Sequence, residues 1–317
     1  MKITLKTSKN IVVMVCLLLI VRQAEALSSG ETASTILKIG PGVRATAMGG
    51  AFVGVADDVT ALHWNPAGLM RLKKSEISFM HAAWFQNLSY EYAALGLFGD
   101  LPLLGETGVG VSLVMLDNGT FDETRYENGQ FIDTDATFKA SDMLFTFGLA
   151  KQFVENWKAG FAVKLISQNI AGNSAMAFAL DLGALYDTEI TGLTVGGVLQ
   201  NLGTKLQLDQ TGYVLPVAFK LGGAWNVPES GFLVSADIVQ PVENTTLLYA
   251  GSEFTTKYNF MQLMVRFGYR YALKGKDLNT GMTAGGGATV LGLQIDYTFE
   301  PYGQLGNTNR FGLTYKW

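Results

Sequence analysis

The sequence predicts an all-β protein: a transmembrane antiparallel β-barrel of about 14 strands with an N-terminal hatch (plug) inside the lumen. Three observations support this fold class. From residue 75 onward, apolar and polar residues alternate with period two over segments of about ten residues. Charged residues make up 16% of the chain, whereas soluble domains contain about 25%. After residue 26 there is no apolar run of about 18 residues, so a closed barrel is the expected way to cross lipid.

Residues 1–26 have the pattern of a cleaved secretory signal peptide. Three lysines precede the apolar run Ile11–Val21, and Ala24-Glu25-Ala26 has the form of a cleavage site. We therefore expect the mature chain to begin near Leu27 and to reside in the outer membrane of a bacterial cell. The single cysteine, Cys16, falls in this leader, which excludes disulfides, thiolate metal sites and cysteine nucleophiles from the mature protein.

Residues 27–74 are the predicted hatch, because they form the longest part of the mature chain without strand alternation. Asp57 and Asp58 precede a predicted short helix at Val59–His63, and Asn65-Pro66 predicts a turn. Capping and turn formation is one interpretation of these polar residues, and contact with a ligand or gating in the lumen is the other. The candidate ligand or hatch residues are Met48, Phe52, Asp57, Asp58, His63, Trp64, Asn65 and Pro66.

Residues 75–317 are the predicted barrel. The expected strand cores are 75–85, 88–98, 106–117, 138–153, 156–169, 175–187, 190–201, 213–226, 230–240, 246–256, 259–272, 280–290, 291–300 and 308–317. Connections after even-numbered strands are mostly short, with Gly99–Gly105 as an expected seven-residue exception, and several after odd-numbered strands are longer. The acidic stretch Asn118–Thr137 is predicted to be a solvated external loop. A soluble β-sandwich is the alternative fold, since its strands alternate too.

Basic residues on the polar face of these strands are expected to point into the lumen. They are Lys158, Lys164, Arg266, Arg270 and Arg310, with Lys316 near the C-terminus. We expect these cations to form ion pairs with lumen acids such as Asp237, Asp296 and Glu300. The alternative is that some of them bind the acidic head of an apolar ligand.

The C-terminal strand ends on an aromatic residue. Its apolar face is formed by Phe311, Leu313, Tyr315 and Trp317. This pattern resembles the signal read by the outer-membrane barrel assembly machinery, which is therefore an expected partner, together with outer-membrane lipid and lipopolysaccharide.

Other classes of function find little support in the sequence. The chain has two histidines, His63 and His81, which leaves few components for a catalytic triad or metal cluster. We predict no enzyme activity, no metal and no cofactor. The formal net charge of −4 and the lack of a basic block argue against nucleic acid as a partner.

The most specific motif is the stretch at 42–69, GVRATAMGGAFVGVADDVTALHWNPAGL. It resembles the N-terminal signature of PorV/PorQ-type outer-membrane proteins, which are similar to the FadL long-chain fatty-acid transporter superfamily. The resemblance implies either of two activities. One is passage of a hydrophobic small molecule, such as a long-chain fatty acid, across the outer membrane. The other is a role in type IX secretion, in which the protein binds the C-terminal signal domains of secreted cargo proteins. A structural barrel without transport is a third hypothesis.

Overall fold

Fourteen antiparallel strands form a closed barrel in which the first strand pairs with the last. The structure is a computed structural model that describes residues 32–84, 88–102, 105–127, 129–208, 211–274, 280–302 and 306–317. The strand number and the closed antiparallel topology confirm the all-β barrel of about 14 strands, while the transmembrane location and the hatch stay predictions. The predicted signal peptide at 1–26 lies outside the described residues.

The barrel strands follow one another around the wall in chain order. They are β1 (Glu76–Ala83), β2 (Ser89–Leu101), β3 (Gly105–Glu127), β4 (Gln130–Val154), β5 (Trp157–Ile170), β6 (Asn173–Asp187), β7 (Leu193–Gly203), β10 (Ala218–Asn226), β11 (Phe232–Pro241), β12 (Leu247–Tyr258), β13 (Met261–Ala272), β14 (Gly281–Val290), β15 (Leu293–Pro301) and β16 (Asn307–Lys316). A separate two-stranded sheet, β8 (Leu206–Gln207) with β9 (Gly212–Tyr213), lies in the connection between β7 and β10. Among the helices of the described residues, none is long and apolar enough to cross a membrane.

Burial alternates along the strands as the period-two pattern predicts. On β5, Lys158 and Lys164 are buried inside the barrel, whereas Val163 between them is exposed on the outside. On β15, Asp296 is buried and Ile295 is 59% exposed. The outer surface of the barrel is therefore apolar and the inner surface carries most of the charge, which is the reverse of a soluble protein.

The prediction that Asn118–Thr137 is a loop is wrong. β3 and β4 stay paired as far as Glu127 and Gln130, so this stretch forms a long hairpin that continues beyond the neighbouring strands. Cross-strand aromatic pairs support the hairpin: Phe121 stacks on Phe138 with ring centroids 5.4 Å apart, and Tyr126 contacts Phe131 at 5.1 Å. Such pairs stabilise the pairing of the two strands. The register shifts at two places, between Asp117 and Thr120 and between Asp122 and Thr124.

Two other connections also differ from expectation. The predicted turn Gly99–Gly105 is shorter, because β2 continues to Leu101, which pairs with Gly105 at the start of β3. The predicted strand 213–226 is divided, because Tyr213 pairs in the small sheet and barrel pairing resumes at Ala218. Pro216 lies between the two, where it has no backbone N–H to donate to a ladder.

The N-terminal segment (residues 32–74) packs against the inner wall. It contains short helices at Val43–Ala47 and Ala61–Trp64 and 3-10 helices at Thr35–Lys38 and Pro66–Arg71. The helix Ala61–Trp64 begins two residues later than the helix that the sequence predicts at Val59–His63. Val43–Ala47 contacts β13 to β16, whereas Pro66–Arg71 contacts β2 to β6, so the segment reaches opposite parts of the wall.

The segment enters the barrel at the end from which the β3–β4 hairpin projects, here called the hairpin end. There the Ala33 backbone N–H donates to the Val214 carbonyl at 3.0 Å. The segment then runs through the lumen to Ser75, whose carbonyl accepts from the backbone N–H of Trp317 at 3.0 Å. This opposite end is called the Trp317 end.

A belt of inward-facing glycines receives the segment. The glycine belt comprises Gly96, Gly108, Gly110, Gly148, Gly160, Gly183, Gly196, Gly222, Gly251, Gly268, Gly285 and Gly312. A Cβ atom added at Gly268 would lie 2.0 Å from the backbone nitrogen of Gly49, and one at Gly108 would lie 2.3 Å from the carbonyl oxygen of Leu69. Wall and segment thus touch backbone to backbone, which side chains would prevent. Gly285 belongs to this belt and packs on Ala47.

We predict that Gly268→Ala lowers the free energy of unfolding by about 1–3 kcal/mol, because the new methyl group overlaps backbone on the segment. Gly223→Ala is the matched control on β10: its Cβ would have no neighbour closer than 3.8 Å, so we expect a change within about 0.5 kcal/mol. Urea unfolding of the detergent-solubilised protein measures both variants. Equal stability of the two would contradict the close approach at the belt.

Candidate functional site

A chamber of about 720 Å³ lies in the lumen between the N-terminal segment and the hairpin end. Residues of the segment line one side of it, and inward-facing residues of the strands and their connections line the rest. Its apolar and aromatic lining includes Leu37, Ile39, Trp64, Trp84, Leu88, Leu116, Val239, Leu247, Tyr249 and Tyr302. Its charged lining consists of Lys38, Lys220, Glu243, Arg270 and Arg310, with His63, Gln200 and Asn201 among the neutral polar groups.

Trp64 is held rigidly where the segment meets the chamber. Its indole Nε1–H donates to the carbonyl of Pro41 at 3.0 Å, and its ring meets that of Phe52 edge to face at 6.2 Å. Added Cβ atoms at Gly40 and Gly50 would lie 2.4 and 3.1 Å from this ring, so the two glycines make room for it. These contacts hold the Trp64 side chain in one position, and 5% of the residue is exposed.

Asn65 joins the segment to the wall. Its side-chain amide donates to the carbonyls of Val53 and Ala184 at 3.1 Å each, and its oxygen accepts from the Ala67 N–H at 3.2 Å. The last bond caps the 3-10 helix that begins at Pro66. The side chain is fully buried, so its polar atoms need all three partners. The turn predicted at Asn65-Pro66 is present.

A second anchor is ionic. The Arg44 guanidinium donates to both carboxylate oxygens of Glu253 at 2.8 Å and to Asp57 at 2.5 Å. Glu253 also accepts from Arg266 at 2.5 Å, and Arg266 donates to Asp296 at 2.6 Å. Bidentate pairing of this kind fixes geometry as well as adding energy. One continuous chain of alternating charges thus links the segment to β12, β13 and β15.

The protonation of Asp57 follows from this anchor. Desolvation works against its charge, but the positive charges of Arg44 and Arg71 outweigh that effect and hold the pKa of Asp57 below its ordinary value. Asp58 lies 3.5 Å from Arg44 and accepts from the backbone N–H of Thr60 at 3.0 Å. Both acids therefore have structural partners.

The structure separates the predicted lumen cations into two groups. Lys158 pairs with Asp187, Lys164 with Asp181 at 2.6 Å, and Arg266 lies in the anchor; none of these three lines the chamber. Arg270 and Arg310 do line it, and both pair with Glu300. Each also donates to the N-terminal segment, Arg270 to the carbonyl of Gly49 at 3.0 Å and Arg310 to that of Gly40 at 2.9 Å. Lys316 pairs with Glu76 at 3.2 Å.

The candidate hatch residues also divide. His63 and Trp64 line the chamber, whereas Met48, Phe52, Asn65 and Pro66 are buried in contacts between segment and wall. Burial, assisted by the charges of Lys164 and Lys220, lowers the pKa of His63 well below its ordinary value, so the imidazole is neutral at physiological pH.

Two chamber cations were missed at the sequence level, Lys38 and Lys220. Lys220 lies between Phe219 and Leu221 in an alternating strand, so the phase of the pattern was sufficient to place it in the lumen. Lys38 carries no such signal, because its position depends on the path of the N-terminal segment.

The other candidate residues lie away from the chamber. His81 faces outward on β1 and contacts Glu91 at 2.6 Å. Phe311, Leu313 and Tyr315 are exposed on the outer face of β16, and Trp317 follows the strand. In the part of the chain that the structure describes, no group of three or more His, Cys, Asp or Glu residues could hold a metal ion.

A second cavity, of about 1200 Å³, is a groove across β5 to β7 and β10 to β13. Much of its lining is apolar and faces outward, including Leu182, Val195, Leu199, Phe219, Leu221 and Ile238. Small residues such as Gly197 and Gly223 form its floor.

The chain was compared with known protein families, curated sequences and solved structures. Residues 20–167 match the profile of an uncharacterised protein family, UPF0164. No curated protein sequence is significantly similar to this chain.

Among solved structures, the chain is similar to the toluene transporter TodX of Pseudomonas putida, with 14% identity and a TM-score of 0.57 over 88% of this chain and 99% of that one. It is similar to the monoaromatic hydrocarbon channel CymD, with 11% identity and a TM-score of 0.60 over 88% and 98%. A FadL homologue of Pseudomonas aeruginosa gives 12% identity and a TM-score of 0.52 over 87% and 98%. At this level of identity the likeness shows the fold. It confirms the predicted FadL-like barrel, and the PorV/PorQ resemblance stays a prediction.

We predict that Arg44→Met loosens the segment from the wall and lowers the free energy of unfolding by about 2–3 kcal/mol, since charged hydrogen bonds to Asp57 and Glu253 are lost. Arg125→Met is the control, because Arg125 lies exposed on the hairpin, 3.6 Å from Glu127. Urea unfolding and the rate of proteolysis within residues 32–74 report the effect. Unchanged proteolysis and stability in Arg44→Met would refute the anchoring role.

Proposed function

We propose that this protein is an outer-membrane barrel of FadL-like build that passes hydrophobic small molecules, such as long-chain fatty acids, across the outer membrane of a bacterial cell. The observation that carries the proposal is the chamber: a largely apolar and aromatic space with a few fixed cations, bounded on one side by a tightly packed segment of the same chain. Ligand sites for apolar molecules have this composition.

The outer surface supports a membrane location. Large apolar side chains stand exposed around the wall, such as Phe267 at 58% and Ile295 at 59%. A soluble protein would bury such a surface, whereas lipid covers it without cost. Near the Trp317 end, exposed aromatic residues form the kind of girdle that barrels place at the lipid–water boundary; they include Trp157, Trp225, Phe254, Tyr258 and Trp317.

In this proposal the N-terminal segment acts as the hatch. A hydrophobic molecule enters at the hairpin end, loses its water in the chamber, and leaves when part of the segment moves. The backbone contacts at the glycine belt and the Arg44 anchor support a closed resting state. TodX is described as a toluene transporter and CymD as a monoaromatic hydrocarbon channel, which supports the general class of cargo.

Filling the chamber tests the function. Ala218 lines it from β10, so Ala218→Phe places a ring in the space that the molecule would occupy. Ala236→Phe is the matched control, because Ala236 faces outward on the adjacent strand. We expect the unmodified protein to raise uptake of radiolabelled dodecanoate severalfold in a host that lacks its own outer-membrane fatty-acid transporter. Ala218→Phe should reduce this uptake to near background and Ala236→Phe should leave it unchanged. Equal uptake by both variants would overturn the chamber as the route.

A second candidate function, a PorV-like role in type IX protein secretion, is favoured by the β3–β4 hairpin. Its tip exposes Tyr126 and Phe131, at 65% and 77%, in a position where a secreted protein could contact them. Mass spectrometry of the protein gently extracted from its own membrane separates the two functions. A stoichiometric apolar molecule would support passage, and secreted proteins that share a C-terminal domain would support secretion.

We also propose that the aromatic C-terminus is read by the barrel assembly machinery. Trp317 follows β16, so Trp317→Ala leaves the pairing of β16 with β1 intact. We expect this variant to reach the outer membrane at a severalfold lower level, as measured by membrane fractionation, while the exposed-tyrosine control Tyr258→Ala reaches it normally. Equal levels of the two would contradict recognition of the C-terminus.

A further inference from the structure

We infer that Lys220 is the binding position for the carboxylate of an organic acid with an apolar body, so that the cargo of the chamber is an anion and not a neutral hydrocarbon. The inference deepens the proposed function and rests on it. It starts from one side chain: Lys220 is 9% exposed, lines the chamber, and has no carboxylate within ion-pair distance among the described residues. An ionisable residue at membrane depth without such a partner indicates a substrate path.

The inward-facing residues directly beside Lys220 on the wall carry no charge. Val198 and Val239 are its direct neighbours on the two adjacent strands, and both are buried. Along β10, the inward positions before and after it are Ala218 and Gly222. Each of the lumen lysines and arginines that the sequence predicted has an acid within pairing distance, whereas Lys220 has none among the described residues.

Two acids face Lys220 from beyond ion-pair distance, and each has contacts elsewhere, although the second oxygen of Asp237 has no hydrogen-bond partner among the described residues. They are Asp237 and Asp181, and the cations facing it are Lys164 and Arg270. One carboxylate oxygen of Asp237 accepts from the backbone N–H groups of Phe52 and Val53 at 2.8 and 3.0 Å, which fixes it to the N-terminal segment. Asp181 pairs with Lys164 at 2.6 Å and accepts from the Asn201 N–H at 2.7 Å.

The chamber as a whole carries excess positive charge. Lys38 pairs with Glu243 at 2.5 Å. Arg270 and Arg310 share the single carboxylate of Glu300. Four cations thus line the chamber, Glu243 and Glu300 pair with three of them, and Lys220 is the one without an ion pair among the residues that the structure describes. In a space with low dielectric constant this excess attracts an anion more strongly than it would in water.

Trp64 is the remaining neighbour of the Lys220 ammonium in the proposed carboxylate site. The Lys220 ammonium lies 5.4 Å from the centre of the Trp64 ring, a cation–π contact that holds the ammonium without neutralising its charge. A carboxylate can approach from the chamber while its apolar body lies against Leu116, Val239 and Leu247. The bound head group would then sit next to Trp64, the residue that precedes Asn65 in the N-terminal segment.

The experiment compares an acid with the alcohol of the same chain length. Purified protein in detergent is titrated with octanoate and with 1-octanol by calorimetry, with protein-free detergent as the blank. We expect Lys220→Met to weaken octanoate binding about tenfold and to change 1-octanol binding less than twofold. Lys220→Arg should retain octanoate binding. Lys139→Met, which removes the same charge from an exposed position on β4, should bind both compounds like the unmodified protein.

The outcomes are distinct. If Lys220→Met binds octanoate as tightly as the unmodified protein, or loses acid and alcohol equally, the carboxylate position is wrong while passage of apolar molecules stands. If the unmodified protein binds neither compound, the proposed function itself fails and the inference falls with it. Circular dichroism and heat-modifiable migration in gels show that each variant is folded, and Lys220→Gln replaces Lys220→Met if the latter is not.

Discussion

The structure depends on one constraint: the backbone of the N-terminal segment must lie directly against the backbone of the barrel wall. The glycine belt satisfies it on nearly every strand, and several of its members face each other across strand pairs, such as Gly110 with Gly148 and Gly251 with Gly268. Without a Cβ atom at these positions, the lumen of a fourteen-stranded barrel is wide enough for a folded segment. The high glycine content, 37 residues, has much of its explanation here.

Charge serves two separate purposes in the lumen. Arg44, Glu253, Arg266 and Asp296 form a paired chain that fixes the segment, and each member has at least one opposite charge at hydrogen-bond distance. Burial of these charges costs desolvation energy, so the pairs are weak evidence for added stability. Toward the hairpin end the balance changes, because cations outnumber acids around the chamber. Substitutions in the paired chain should therefore affect the anchoring of the N-terminal segment, and substitutions of the chamber cations should affect the proposed attraction of a ligand.

The chamber and the segment share residues, and this couples a ligand to the proposed hatch. Trp64 belongs to the chamber lining, and the next residue, Asn65, holds the segment to Val53 and to β6. Arg270 and Arg310 face the chamber and also bind carbonyls of the segment. A molecule that alters either set of contacts acts on the element that fills the lumen. In the proposed function, ligand binding in the chamber could therefore act on the N-terminal segment directly, through these shared residues.

The sequence by itself determined the closed barrel of about fourteen strands and the inward or outward side of most strand residues, because strand geometry imposes a period of two that an apolar outer face and a charged inner face make visible. It also indicated the turn at Asn65. Only the tertiary structure decided which charges pair, that Asn118–Thr137 forms a hairpin, and that Lys38 and Lys220 face the chamber. Ion pairs such as Arg44 with Glu253 join residues distant in the chain, and no local pattern encodes such a contact. The glycines were visible in the sequence, but their purpose depends on the path of a segment without any periodicity.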